Sequence, residues 1–250
     1  MARPVVHIGY PKSGSTFLQR NVFPFLDGCE YLGLSGREKD ETYDELSVFY
    51  NGVSKSDSLN FSCEECREIA QRYLNKSNKE SVIFSHEALV SVLYAYPDAV
   101  VKAQRLHDVF QGDARIIMIV RNQQSILESQ YRDHPFEPHD IIRGKPVSFD
   151  EWYRQTKRLR YFRFTDLVFY DRLIDVYDGI FGKENVLVLP LELMKADPQE
   201  YAERLACFLN IDSQKLLSCL QAPDANVGHS SGVNRLRKIR RRIPLNIEFS

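Results

Sequence analysis

The stretch Gly9-Tyr-Pro-Lys-Ser-Gly-Ser-Thr16 gathers two glycines, a lysine and three aliphatic hydroxyls. It follows a short β-branched run, Val5–Ile8, and precedes Phe17–Val22, which reads as the opening of a helix. A strand–loop–helix turn aims backbone N–H groups and the positive end of a helix dipole at one spot, and that arrangement binds phosphate. Gly9 and Gly14 allow a tight turn and close approach of the backbone to an anion. The spacing matches GxxxxGK[ST], except that Ser15 stands where a nucleotide hydrolase carries its lysine. Lys12, the only lysine of the loop, lies in its middle, a position suited to a shorter anionic chain than a triphosphate. The plain alternative is a glycine- and serine-rich turn without a ligand.

A second set of residues follows the strongest apolar run, Arg115–Val120. Arg121 stands at its end. In doubly wound sheets ligands lie at the carboxyl ends of strands, so Arg121 is where a ligand charge is expected. Ser129 sits about two turns into the helix that follows and can add a hydroxyl to the same phosphate. A nucleotide hydrolase often has an acidic residue near this point to hold magnesium, and here the residue is arginine. Taken alone, such an arginine is usually a surface ion-pair partner. For proton transfer the sequence offers Ser85-His86-Glu87, just past the apolar run Ser81–Phe84. Histidine and glutamate are both competent general bases near neutral pH when their surroundings tune them. Neighbours in a strand point to opposite faces, so one of the two is expected to face the site, and a structural hydrogen bond is the alternative for each.

The elements that must position these groups are legible as runs and periods. Val5–Ile8, Ser81–Phe84, Arg115–Val120 and Asn185–Leu189 are continuously apolar, the mark of strands covered on both faces. Residues 166–182 place Leu167, Tyr170, Leu173, Ile174, Tyr177 and Phe181 at helical spacing, with Gly182 as a C-terminal cap. Asp197-Pro-Gln-Glu200 reads as an N-cap, a first-turn proline and a glutamate reaching back. Strands separated by helices predict one doubly wound α/β domain over 1–250, with a parallel sheet of about four to five strands. Segments 35–62 and 133–149 break the alternation and read as irregular loops, either over the site or as surface insertions without a role. In the second, His134, His139, Asp133, Glu137 and Asp140 have no helical ligand spacing, and no metal is expected. Trp152 reads as core.

Composition bounds the function. The chain has 250 residues, 43% hydrophobic and 27% charged, which excludes a disordered chain, a collagen-like repeat and a disulfide scaffold. No run approaches the ~20 apolar residues of a membrane helix, and no signal-peptide pattern opens the chain, so a cytoplasmic protein without membrane contact is expected. The net charge of −1 gives no global field to draw in nucleic acid. The charge is uneven, however: residues 235–250 sum to +5 and the rest to −6. A basic end on an acidic body suits an anion or a solvated helix. Of five cysteines, Cys63 and Cys66 form a lone CxxC on an amphipathic stretch, read as reduced, part-buried thiols.

The loop Pro11-Lys-Ser-Gly-Ser-Thr-Phe17 resembles the 5′-phosphosulfate loop of the PAPS-dependent sulfotransferases, usually PKSGTTW. Ile116-Ile-Met-Ile-Val-Arg-Asn122 with Ser129 resembles their 3′-phosphate motif. Asn185–Pro198, continuing to Phe208-Leu209, is similar to the late strand and D-P…FL helix of that family. The resemblance implies a P-loop-like α/β fold and transfer of a sulfuryl group from 3′-phosphoadenosine 5′-phosphosulfate (PAPS) to a hydroxyl or amine, leaving 3′,5′-adenosine bisphosphate (PAP), without a metal. It further implies that Lys12 meets the 5′-phosphate and bridging oxygen, that Ser13, Gly14, Ser15 and Thr16 cradle the phosphosulfate, with Phe17 in place of tryptophan, and that Arg121 and Ser129 hold the 3′-phosphate. Family members use either histidine or glutamate as base; a serine–glutamate element after a strand resembles the bacterial and carbohydrate branches and favours Glu87, with His86 close behind. The family closes over the 3′-phosphate near residues 226–231, yet the RKG element of its cytosolic branch is missing here. The acceptor, a small molecule or a carrier-bound group, is not specified. A P-loop small-molecule kinase and a non-catalytic polyanion-binding module are the competing readings.

Overall fold

A computed structural model describes residues 2–90, 98–133, 135, 145–158 and 168–222. Its apolar runs form a five-stranded parallel sheet: β1 (Arg3–His7), β2 (Cys29–Gly33), β3 (Ser81–Ser85), β4 (Arg115–Val120) and β5 (Val186–Pro190), in the order β2-β3-β1-β4-β5. β1 is central, with Val6 opposite Phe84 of β3 on one side and Ile116 of β4 on the other. β2 is not among the apolar runs of the sequence. As an edge strand it has one exposed flank, and Cys29-Glu-Tyr-Leu-Gly33 accordingly lacks the continuous apolar run that marks a central parallel strand.

Successive side chains of a strand face opposite layers, and the core divides accordingly. Val6, Ile8, Ile116 and Met118 pack beneath α2 (Glu41–Lys55), α3 (Cys63–Lys76), α4 (Ala99–Phe110) and α7 (Tyr170–Phe181). Val5, Ile117 and Ile119 pack beneath α1 (Ser15–Phe17, running on as a π-helical turn through Val22), α9 (Pro198–Leu209) and α10 (Ser213–Gln221). Between these lie α5 (Gln123–Asp133), α6 (Phe149–Arg158) and the short α8 (Leu191–Ala196).

The expectation of an irregular 35–62 segment is corrected. Asp40 caps α2 by accepting from the Tyr43 N–H at 2.8 Å, and Leu46, Phe49, Tyr50 and Val53 recur at helical spacing and are buried. The polar residues that masked this period lie on its solvent face. Asp197 caps α9 as expected, accepting from the Glu200 N–H at 2.9 Å, and Gly182 closes α7 at φ 84°. Residues 166–167 of the helix expected over 166–182 lie outside the described residues, as do 134 and 136–144 of the 133–149 segment, residues 226–231 and the whole basic segment 235–250. Cys66 is buried in α3, Cys63 is half-buried, and all five cysteines are free. Trp152 is buried, stacked on Phe149. Among the described residues no helix is long and apolar enough to cross a membrane.

From β1 the chain passes to the edge at β2, returns to β3 beside β1, and then crosses to β4 and β5 on the other side. That reversal opens a crevice at the carboxyl ends of β1, β3 and β4, where a ligand can sit between diverging loops.

Candidate active site

The loop after β1 holds an uncommon backbone. Gly9, Lys12 and Gly14 all have positive φ, at 45°, 65° and 79°. A Cβ on Gly14 would lie 2.8 Å from Leu191 Cδ1, and one on Gly9 would lie 2.9 Å from Ser15 Oγ, so a side chain at either would displace a neighbour as well as strain the positive-φ backbone. The Ser15 hydroxyl donates to the Tyr10 carbonyl at 3.2 Å, tying the loop across its own mouth. Ser13 is fully buried, and its hydroxyl has no hydrogen-bond partner among the described residues. Thr16 is exposed and Phe17 half-buried at the start of α1. An L-residue such as Lys12 in the left-handed region is strained, and strain of this kind gathers at ligand clamps.

The two phosphate-type motifs meet directly. Arg121, at the end of β4, donates from Nη1 to the Lys12 carbonyl at 2.8 Å. Its own backbone is held by the Tyr170 hydroxyl, which donates to the Arg121 carbonyl at 2.8 Å. Asn122 caps α5 by accepting from the Ser125 N–H at 3.0 Å. Ser129 is half-buried on α5, with no hydrogen bond among the described residues. One turn further, Asp133 forms an ion pair with the Lys12 ammonium.

His86 and Glu87, adjacent in sequence, part company after β3. The chain turns into a 3-10 turn, Glu87–Leu89, and His86 becomes its cap, accepting from the Ala88 N–H through Nδ1 at 3.0 Å. The imidazole stacks on Tyr50 of α2 at 5.0 Å, and burial holds its pKa down at about 4. Glu87 lies on the loop side instead: its Cα would stand 3.4 Å from a Cβ on Gly9. Burial raises the Glu87 carboxyl above the usual carboxylate range, and the Lys12 charge opposes that rise.

Beneath the loop runs a buried polar chain. Gln19 Nε2 donates to Ser85 Oγ at 3.0 Å, and Ser85 Oγ lies 2.7 Å from His7 Nδ1. The Ser85 N–H donates to the Tyr50 hydroxyl at 2.9 Å, which in turn donates to the Leu32 carbonyl. The chain locks the ends of β1, β2 and β3 to α1 and α2, so the loop and the Glu87 turn rest on one rigid layer. Burial lowers the His7 pKa to about 3, keeping it neutral in this layer.

The structure thus brings Lys12, Ser13, Gly14, Ser15, Arg121 and Glu87 together, with Thr16, Phe17 and Ser129 on the flanking helices, and turns His86 aside. Asp133, which the sequence places in the 133–149 segment, joins the site through Lys12, and its spacing shows it: Ser129 and Asp133 are four apart and share a helix face. Among the described residues no group of His, Cys, Asp and Glu is arranged to hold a metal.

A family model described as a sulfotransferase domain matches residues 2–232. No curated protein matches the sequence. Among solved structures, a sulfotransferase from Alicyclobacillus acidocaldarius aligns at 18% identity and TM-score 0.57, over 97% of this chain and 93% of its own. The sulfotransferase domain of the Synechococcus PCC 7002 olefin synthase aligns at 16% identity and TM-score 0.52, over 100% of this chain and 91% of its own. The sulfotransferase domain of the curacin biosynthetic pathway aligns at 14% and 0.51, over 92% and 81%. At these identities the structures share the fold.

Proposed function

Since this chain belongs to the sulfotransferase domain family, we propose that PAPS is its sulfuryl donor, that an acceptor hydroxyl or amine receives the group, and that Lys12 and Glu87 carry the chemistry. In the step, the bond from sulfur to the oxygen bridging it to the 5′-phosphate breaks as a bond from sulfur to the acceptor atom forms. The electron pair of the broken bond stays on the phosphate, and the acceptor proton passes to the Glu87 carboxylate. The products are PAP and the sulfated acceptor.

One observation carries the reading: Arg121 bonds the backbone of Lys12, so the two anion-binding motifs form a single continuous cradle. The unpartnered, buried Ser13 hydroxyl and the strained loop fit an anion held by N–H groups. Charge grows on the bridging oxygen in the transition state, and a fixed cation such as Lys12 stabilises it most there. Lys12 must first leave Asp133, so donor phosphate and Asp133 compete for the same ammonium. Glu87 is supported over His86 by position and by proton inventory. His86 Nδ1 already accepts a backbone hydrogen bond, which leaves the proton of the neutral ring on Nε2. Glu87 faces the loop, and its raised pKa makes it a stronger base than an exposed carboxylate. Arg121 and Ser129 hold the 3′-phosphate in this reading. A cytoplasmic setting is proposed, with five free thiols in keeping with a reducing compartment.

The test is calorimetric titration with PAP, 5′-AMP and Mg-ATP. PAP is expected to bind at least tenfold more tightly than 5′-AMP, about 1.4 kcal/mol, and to lose that margin in Arg121→Ala. If Mg-ATP binds best and PAP no better than 5′-AMP, the donor assignment falls and a kinase takes its place.

A further inference from the structure

Arg121 and Asn122 lie where β4 has ended and the first turn of α5 has not yet closed, so no ladder bond supports them. Their backbone groups are held all the same. The Arg121 N–H donates to the Tyr170 hydroxyl at 3.4 Å, and that hydroxyl donates to the Arg121 carbonyl at 2.8 Å. The Asn122 carbonyl accepts from the Ile126 N–H at 3.0 Å, the first bond of α5. The Asn122 N–H donates to Glu192 Oε1 at 2.9 Å. The peptide that joins Arg121 to Asn122 is thus gripped at both of its polar groups, its carbonyl by a side chain of α7 and its N–H by a side chain of α8.

Strand register places Glu192 there. Val120, the last residue of β4, lies opposite Pro190, the last of β5, so the residues after each strand emerge side by side. Leu191 and Glu192 then reach the two phosphate-type motifs separately. Leu191 seats over Gly14, its Cδ1 2.8 Å from where a Cβ would be, and Glu192 takes the N–H that follows Arg121. A carboxylate near a site for phosphate opposes an anionic ligand by its charge. At the N-terminus of α5 that charge is offset by the partial positive charge of free N–H groups. Arg121 has a long, flexible side chain, and it must reach the Lys12 carbonyl and a ligand in one arrangement, which a fixed backbone favours.

We infer that Glu192 is a positioning residue of the donor site: by fixing the Arg121–Asn122 peptide it aims the Arg121 guanidinium at the 3′-phosphate. The inference rests on the sulfotransferase reading above, which gives that phosphate to Arg121. The hydrogen bond rather than the charge is the working part, so glutamine can stand in for Glu192 and alanine cannot.

The experiment measures PAP and 5′-AMP affinities by calorimetry in the wild-type protein, Glu192→Gln, Glu192→Ala, Arg121→Ala and the variant carrying both alanines. Glu192 is exposed, so its truncation opens no cavity in the core. Glu192→Ala is expected to weaken PAP by about fivefold, the effect of one hydrogen bond, and to leave 5′-AMP unchanged. Glu192→Gln, whose amide oxygen still accepts, is expected to keep PAP within about twofold of wild type. With Arg121 already alanine, Glu192→Ala is expected to change nothing further, because the two act as one unit. Equal loss of PAP and 5′-AMP in Glu192→Ala would show a merely structural role and overturn the inference. A PAP margin that survives in Glu192→Ala overturns it too, as do glutamine and alanine variants that behave alike, or losses that add in the double variant. A wild-type protein that binds PAP no better than 5′-AMP overturns the donor assignment and the inference together, whereas a wild-type margin that ignores Glu192 overturns the inference alone.

Discussion

On the β4 side of β1, the groups proposed to meet the donor come from two short contiguous stretches, Gly9–Thr16 and Arg121–Ser129, joined by one hydrogen bond. On the β3 side, Glu87, His86 and the Tyr50 ring against it come from a 3-10 turn, its cap and α2. The first flank is made largely of backbone held by glycine and positive φ; the second is made of side chains that tertiary packing brings together. Backbone cradles suit a ligand common to many proteins, whereas side chains from separate elements can be exchanged one at a time. The comparison teaches where specificity is expected to reside.

The sharpest way to break it is Lys12→Ala. Removing the cation that faces developing charge is expected to lower kcat by about 10²–10³-fold, read as initial PAP release from PAPS with an excess of acceptor. A loss confined to KM would move Lys12 from the transition state to ground-state binding.

Next in size, Glu87→Gln is expected to lower kcat by about 10²-fold while leaving PAP affinity intact. The pH profile carries the sign. Glu87 must be ionised to take a proton, so wild-type activity falls as pH drops through its raised pKa, at a higher pH than an ordinary carboxylate would give. That acid limb is expected to vanish in Glu87→Gln. With the folded-state pKa raised, stability falls as pH climbs from the unfolded-chain value through the folded one, so Glu87→Gln should melt slightly higher at neutral pH and equally in acid. Should His86→Asn abolish the acid limb instead, the roles of the two neighbours are reversed.

Arg121→Ala is expected to weaken PAP by about tenfold or more with 5′-AMP little affected, which separates the β4 flank from the β3 flank by ligand rather than by rate. The layer beneath both flanks is tested by acid. His7 and His86 are neutral when folded, with pKa values of about 3 and 4, whereas in the unfolded chain they take protons near pH 6.5. Stability is therefore full above about pH 6.5 and lost as pH falls toward those folded values, by up to about 1.4 kcal/mol per pH unit for each histidine. Denaturant midpoints measured from pH 7 to pH 4 check this, and a flat response would show that the layer tolerates charge. The smallest effect is expected away from both flanks: Cys63→Ser should change stability by less than about 1 kcal/mol, and reductant should leave activity unaltered.

The β4 flank was legible because its features are local. Glycines at fixed spacing, a lysine between them and an arginine ending an apolar run are sequence features, and the backbone geometry follows from them directly. The β3 flank was less so. Ser85-His86-Glu87 offered two bases that no spacing rule separates, and the 3-10 turn that sends Glu87 to the loop and His86 onto Tyr50 depends on a helix 35 residues upstream. Edge strand β2 and helix α2 were hidden for related reasons. One needs apolar cover on fewer sides than a central strand, and the other shows its polar face to a reader who sees only composition.

By itself the sequence determined the alternation of buried strands and helices, the parallel sheet, the phosphate-type loop and the arginine at the end of β4. These follow from periodicity and from the few residues that permit positive φ, which are properties of a short stretch of chain. Only the tertiary structure decided that Asp133 holds Lys12, that Glu87 rather than His86 lies against the loop, and that the hydroxyl of Ser13 is buried beneath it. Each of those facts is a meeting of residues tens of positions apart. Burial, and with it the energy of a charge, exists only once the layers have closed over it.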